Sequence, residues 1–132
     1  MQSFSVNKPR TITDVLRYEV DPNYTREQES FPGHGGSEED EAHDIGTVVA
    51  KLDATGEVVP LNPGQSDGSQ TAYGVLLSKL VTASAAQPCL VLERGPAVVV
   101  AETLIWPDGI SDGNKETALT ALLAKGIKAR SD

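Results

Sequence analysis

The chain is divided by its charge, and the division falls near Asp44. Residues 1–44 carry four cations (Lys8, Arg10, Arg17, Arg26) against ten anions, a balance of −6. The remaining 88 residues carry seven against nine, a balance of −2. Aromatic residues are skewed the same way. Phe4, Tyr18, Tyr24 and Phe31 lie in the first third, and only Tyr73 and Trp106 lie beyond it. An acidic segment short of aliphatic runs and broken by Pro9, Pro22, Pro32 and Gly33 cannot build a core of its own. Residues 1–44 are therefore expected to form an extended acidic arm and linker, and residues 45–132 a folded domain.

The arm has structure-forming content. Val15-Leu16-Arg17-Tyr18-Glu19-Val20 reads as one short strand. Such an arm could reach on the order of 100 Å when extended. Ordering it costs about 1–2 kcal/mol per residue, so only a few anchors should become fixed on a partner. Val15, Leu16, Tyr18, Val20, Tyr24 and Phe31 are the candidate anchors, acting by strand addition to an exposed sheet edge. The run from Gly33 to Glu41 reads as a flexible acidic linker.

Beyond the linker the pattern turns to short strands. Gly46–Leu52 and Glu57–Leu61 flank the turn residues Asp53-Ala54-Thr55-Gly56, which predicts a hairpin with a four-residue loop. Pro60 places its second strand at an edge. Ala72–Leu77, Leu80–Ala86, Pro88–Glu93 and Ala97–Ala101 read as further strands or irregular apolar segments. One helix is expected near the end, with Asn114 as N-cap and Gly126 as the stop. Ala118, Leu119, Leu122 and Leu123 mark its apolar face, and Ile127–Arg130 forms a last strand. The fold class is α+β: a small β-rich domain with one helix packed on short strands.

Several function classes find no support. A net charge of −8 argues against binding a phosphate backbone. No apolar run reaches the length of a membrane span, and Met1–Arg10 lacks the apolar stretch of a secretory signal. One cysteine, Cys89, excludes an internal disulfide and a Cys-rich zinc site. Gly33-His34-Gly35-Gly36 lacks the Lys and Ser/Thr of a phosphate loop. His34 and His43 flank Glu38, Glu39, Asp40 and Glu41 without the fixed spacing of a metal site. Cys89 reads as a small buried hydrophobe, far in sequence from any His base that would activate it. Ser66–Ser69 and Ser111–Asn114 read as turn and cap chemistry. An Asp67–Asp112 acid–base pair has no positive support. No cofactor is expected, and no enzymatic activity. Trp106 is either a core anchor or a subunit contact, since Trp is enriched at interface hot spots.

Three stretches carry a resemblance. They are Ser66-Asp67-Gly68-Ser69-Gln70-Thr71-Ala72-Tyr73-Gly74-Val75-Leu76, Gly95-Pro96-Ala97-Val98-Val99, and Leu104-Ile105-Trp106-Pro107. The last is followed by Ser111-Asp112 and a helix with Lys115 and Ala118. In that order and spacing they resemble the head decoration proteins of tailed bacteriophages, the lambda-type capsid-stabilising family, over roughly Ile45–Arg130. Arg26-Glu27-Gln28 resembles the arm of longer members, while the long arm and acidic linker depart from the best-known one. The resemblance implies a trimeric structural virion protein on the outer surface of the expanded head. It implies contact between the N-terminal arm and the major capsid protein, reinforcement against the pressure of packaged DNA, and synthesis in the host cytoplasm. Trp106, Pro107 and Glu102 are the candidate trimer contacts, with no direct contact to nucleic acid or membrane. The alternative is a non-viral adaptor module whose acidic arm recruits a protein partner. A small hydrolase using Asp67, Asp112 or Cys89 is a third class.

Overall fold

A computed structural model of the chain describes residues 9–35 and 40–131. The expected anchor segment does not stay apart from the fold. Thr11 caps a single helical turn, α1 (Ile12–Val15), and its backbone N–H donates to Asp14 Oδ2 at 2.8 Å. Strand β1 (Leu16–Glu19) follows directly, so the stretch expected as one strand from 15 to 20 begins as a turn of helix. Asp21 Oδ1 accepts from Asn23 N and Pro22 opens a second one-turn helix, α2 (Pro22–Thr25). The chain then runs into β2 (Arg26–Phe31).

Residues 10–31, expected in the arm, pack against the strands that follow residue 44. Val15 and Thr25 are fully buried, and Leu16 and Phe31 nearly so. Arg10 Nη1 donates to the carbonyls of Ile45 and Thr103, both at 2.7 Å, pinning the start of the segment. The expected linker is also tied at its flanks. His34 N and Gly35 N donate to the carbonyls of Ala83 and Ser84. Strand β3 (Ala42–His43) pairs with β7 (Leu80–Val81). The acid-rich middle of that linker, residues 36–39, lies outside the described residues, as do Phe4 and Lys8.

The main sheet is antiparallel, in the order β2–β8–β6–β4–β5, with β4 (Val48–Lys51), β5 (Val58–Pro60), β6 (Gly74–Leu76) and β8 (Gln87–Leu92). The hairpin is as expected: β4 pairs β5, and Leu52 N donates to the Glu57 carbonyl at 2.8 Å to close the loop. β5, with Pro60, lies at an edge of the sheet. A second sheet has the order β1–β9–β10, with β9 (Ala97–Val100) antiparallel to β1 and parallel to β10 (Ile127–Arg130).

Strand alternation explains why the central strands are apolar throughout. Val48, Ala50, Val75 and Leu92 face the larger core, which also holds Val15, Val99, Leu122 and Ile127. Val49, Leu76, Cys89 and Val91 face a smaller one with Phe31, Val58 and Leu80. Both faces of the main sheet are thus covered.

Helix α3 (Asp112–Ala124) is the one long helix among the described residues. Its cap is Ser111, whose Oγ accepts from Asn114 N at 3.1 Å, so the expected cap Asn114 is instead the donor in the first turn. Ala118 and Leu122 are buried, but Leu123, expected on the same face, is 58% exposed. The helix rests on this i, i+4 row, with Leu119 and Ala121 partly buried beside it.

Candidate functional site

The six expected anchors divide by burial. Val15, Leu16 and Phe31 point into the chain's own cores. Tyr18, Val20 and Tyr24 are 53%, 49% and 55% exposed. Tyr18 lies on β1, and Val20 and Tyr24 lie on the stretch that carries the chain from there to the main sheet.

Each is held by backbone bonds or by a charged neighbour. Tyr18 stands opposite Val98 in the β1–β9 ladder, and Val20 N donates to the Pro96 carbonyl at 3.0 Å. Tyr24 N closes the α2 turn on the Asp21 carbonyl at 2.9 Å. Arg94 lies 5.3 Å over the Tyr24 ring, donates to the Tyr24 carbonyl, and pairs with Glu27 at 2.9 Å. Behind this surface the chain is pinned by Glu19. Its carboxylate accepts from Thr25 Oγ1 at 2.6 Å and Arg26 Nε at 3.1 Å, and is also paired with Arg26 Nη2. Burial pushes the Glu19 carboxyl up, but the bonds from Arg26 and Thr25 outweigh it and hold it below the usual glutamate range.

The result is an exposed apolar and aromatic surface on a braced backbone. It flanks the outer edge of β1, the end strand of its sheet. Such a surface can bury aromatic area against a partner and accept a further strand by main-chain hydrogen bonds.

Two of the three candidate trimer contacts, Trp106 and Pro107, line one cleft. Trp106 packs partly against the larger core. With Pro107 it lines a cleft of about 520 Å³ bounded by His43, Asp44, Pro60 and Asp108. Glu102 is exposed on the 3₁₀ turn Ala101–Thr103 and is not among the residues of that cleft.

The residues weighed for chemistry are occupied in turns, caps and core. Asp67 accepts from the N–H and hydroxyl of Ser69, and those bonds hold its carboxyl below the usual aspartate range. Asp112 begins α3. Burial pushes the Cys89 thiol up to about 11. His43 stacks on Phe31 with ring centroids 5.3 Å apart, and burial holds it below the usual histidine value. Among the described residues no helix is long and apolar enough to cross a membrane.

A buried polar cluster went unnoticed in the sequence. Glu93 is 2% exposed, accepts from Tyr73 Oη at 3.0 Å, and lies near Glu29, Lys51 and Lys125. The available signal was a glutamate at the end of the apolar run Cys89–Leu92, on the same alternating face as Cys89 and Val91.

A family model described as bacteriophage lambda head decoration protein D matches residues 5–127. No curated protein matches the chain.

Proposed function

Since the chain belongs to the bacteriophage lambda head decoration protein D family, we propose that it binds the outer surface of the expanded phage head as a homotrimer. It occupies three-fold and quasi-three-fold positions, contacts the major capsid protein, and reinforces the shell against the pressure of packaged DNA. The observation that carries this reading is the family match, which spans both the first third of the chain and the strands and helix that follow.

The surface described above supports the contact. Tyr18, Val20 and Tyr24 supply apolar area worth roughly 25 cal/mol per Å² when buried. β1 is the end strand of its sheet, the position at which a capsid strand can add by main-chain hydrogen bonds. A trimer presents three such surfaces to one site, so each can be weak: the second and third bind at high effective concentration. The net charge of −8 disfavours contact with DNA, which suits the outside of the shell.

Co-sedimentation with cognate expanded heads lacking this protein tests the proposal, with unexpanded heads as control. Three chains are compared: the full chain, a chain lacking residues 1–8, and the triple variant Tyr18→Ser, Val20→Ser, Tyr24→Ser. Saturable binding of the full chain to expanded heads alone supports a decoration role. Loss in the triple variant assigns the contact to this surface. Loss in the shortened chain assigns it to the first eight residues. Failure of the full chain to bind would overturn the capsid reading and favour an adaptor.

A further inference from the structure

Strand alternation places Glu29, Lys51 and Glu93 on the face of the main sheet that carries the smaller core, next to Phe31, Val49 and Val91. Here the apolar core gives way to charge, with Glu93 buried and Glu29 and Lys51 partly exposed. Glu93 Oε1 accepts from Tyr73 Oη and lies 3.5 Å from Arg94 Nη2. Its other oxygen, Oε2, is buried and meets no donor among the described residues. The Glu29 carboxyl lies within hydrogen-bonding reach of Glu93. Lys51 Nζ bridges the group, 3.4 Å from Glu29 Oε2 and 3.3 Å from Tyr73 Oη. From the end of α3, Lys125 Nζ sits 3.5 Å from the centre of the Tyr73 ring.

Two ionised carboxyls in this arrangement carry two costs. They repel each other at close range, and one buried oxygen lacks a donor. A single proton removes both, because a neutral carboxyl donates to its ionised neighbour. Glu29 lies on β2 and Glu93 directly follows β8, so that bond spans the pairing of an edge strand with the body of the sheet. Lys51 on β4 and Arg94 each hold only one end of it.

We propose that Glu29 and Glu93 hold one proton between them, and that this proton latches the edge strand β2 onto β8. Burial, reinforced by Glu29, pushes the Glu93 carboxyl up to about 7, while the Tyr73 hydrogen bond and the Lys51 charge pull it down. The folded chain therefore keeps a proton that the unfolded chain releases near the ordinary value of about 4.3. The latch is at full strength below that ordinary value, weakens as the pH rises, and is open above about 7. Cys89, on the same face, keeps its proton throughout this window. The Glu27–Arg94 pair holds the first residues of β2, so the loosening falls on the half from Glu29 to Phe31.

The test is a carboxyl-carbon NMR titration of the full chain, with amide hydrogen exchange of β2 read in parallel. Glu93 is expected to titrate well above the other glutamates. Protection of the β2 amides, corrected for base catalysis, is expected to fall about tenfold or more as the pH rises through Glu93's own titration. In Glu93→Gln that pH dependence is expected to vanish, because the amide donates at every pH. Titration of Glu93 alongside the other glutamates would overturn the proposal, and this reading needs no variant. An unchanged pH dependence in Glu93→Gln would overturn it as well.

Discussion

Gly95 and Gly126 pass so closely that a β-carbon on Gly95 would lie 1.8 Å from the carbonyl oxygen of Gly126. Gly95 N donates to the Lys125 carbonyl at 2.9 Å, and Ala97 N to the Gly126 carbonyl at 3.0 Å. The turn after β8 is thereby stitched to the end of α3, where Gly126 has a φ of +90°. Both partners are backbone, so neither can swing aside. Gly95→Ala is expected to destabilise the fold by about 2–3 kcal/mol. Gly113→Ala, in the first turn of α3 with its nearest neighbour 4.0 Å away, is expected to be neutral or stabilising by about 0.5 kcal/mol. Urea unfolding of both variants, read as midpoint shifts at constant slope, checks the contrast.

The first third of the chain supplies core. A chain starting at Ile45 loses Val15, Leu16 and Phe31 together with strands β1 and β2. It is expected to lack the dispersed amide spectrum and cooperative unfolding of the full chain. Phe31→Ala alone should cost about 3–5 kcal/mol by emptying part of the smaller core. A well-folded chain from Ile45 onward would contradict this account.

Glu19 gives the fold an acid-sensitive joint. Its carboxyl is held below the ordinary value, so its stabilising contribution is present above that value. The contribution fades as the pH falls through Glu19's own lowered value, where the folded carboxylate takes up a proton. Glu19→Gln is expected to cost about 1–3 kcal/mol at neutral pH, with the gap to the natural chain closing below about pH 4. Unfolding midpoints of the two chains across this range provide the measurement.

Cys89 should report on unfolding. The thiol is 3% exposed, and burial pushes it up to about 11. A thiol reagent near pH 8 is expected to react with the folded chain at least about a hundredfold more slowly than with the chain in denaturant. Equal rates would mean that the β2–β8 pairing opens readily.

Binding and stability should separate at the exposed surface. Tyr18→Ser and Val20→Ser are each expected to change stability by no more than about 0.5 kcal/mol. Tyr24→Ser should cost up to about 1 kcal/mol, because Arg94 loses the ring beneath it. Affinity for expanded heads is expected to fall at least about tenfold in the triple variant. Thermal unfolding and co-sedimentation on the same samples distinguish the two effects.

Local features of the fold were legible in the residues. Asp53–Gly56 is the loop of a hairpin, Pro60 lies on an edge strand, and Ile127–Arg130 forms the last strand. Each follows from backbone preferences that act within a few residues. Strand β2 was not legible, because Arg26-Glu27-Gln28-Glu29-Ser30 has no apolar alternation and owes its form to pairing with β8. The cap of α3 moved from Asn114 to Ser111 because each residue type suits the role and the path of the preceding loop chooses between them.

Residue order alone places a few apolar anchors on an acidic first third, and such anchors must be buried against something. It also carried the family, through stretches whose order and spacing survive without knowledge of the fold. The packing of the strands sets where the anchors go. Val15, Leu16 and Phe31 turn inward, while Tyr18, Val20 and Tyr24 remain outside. The physical reason is that burying an apolar side chain gains the same free energy in the chain's own core as in a partner. What separates the two is the modest cost of closing a loop within one chain, set against the larger cost of bringing two molecules together.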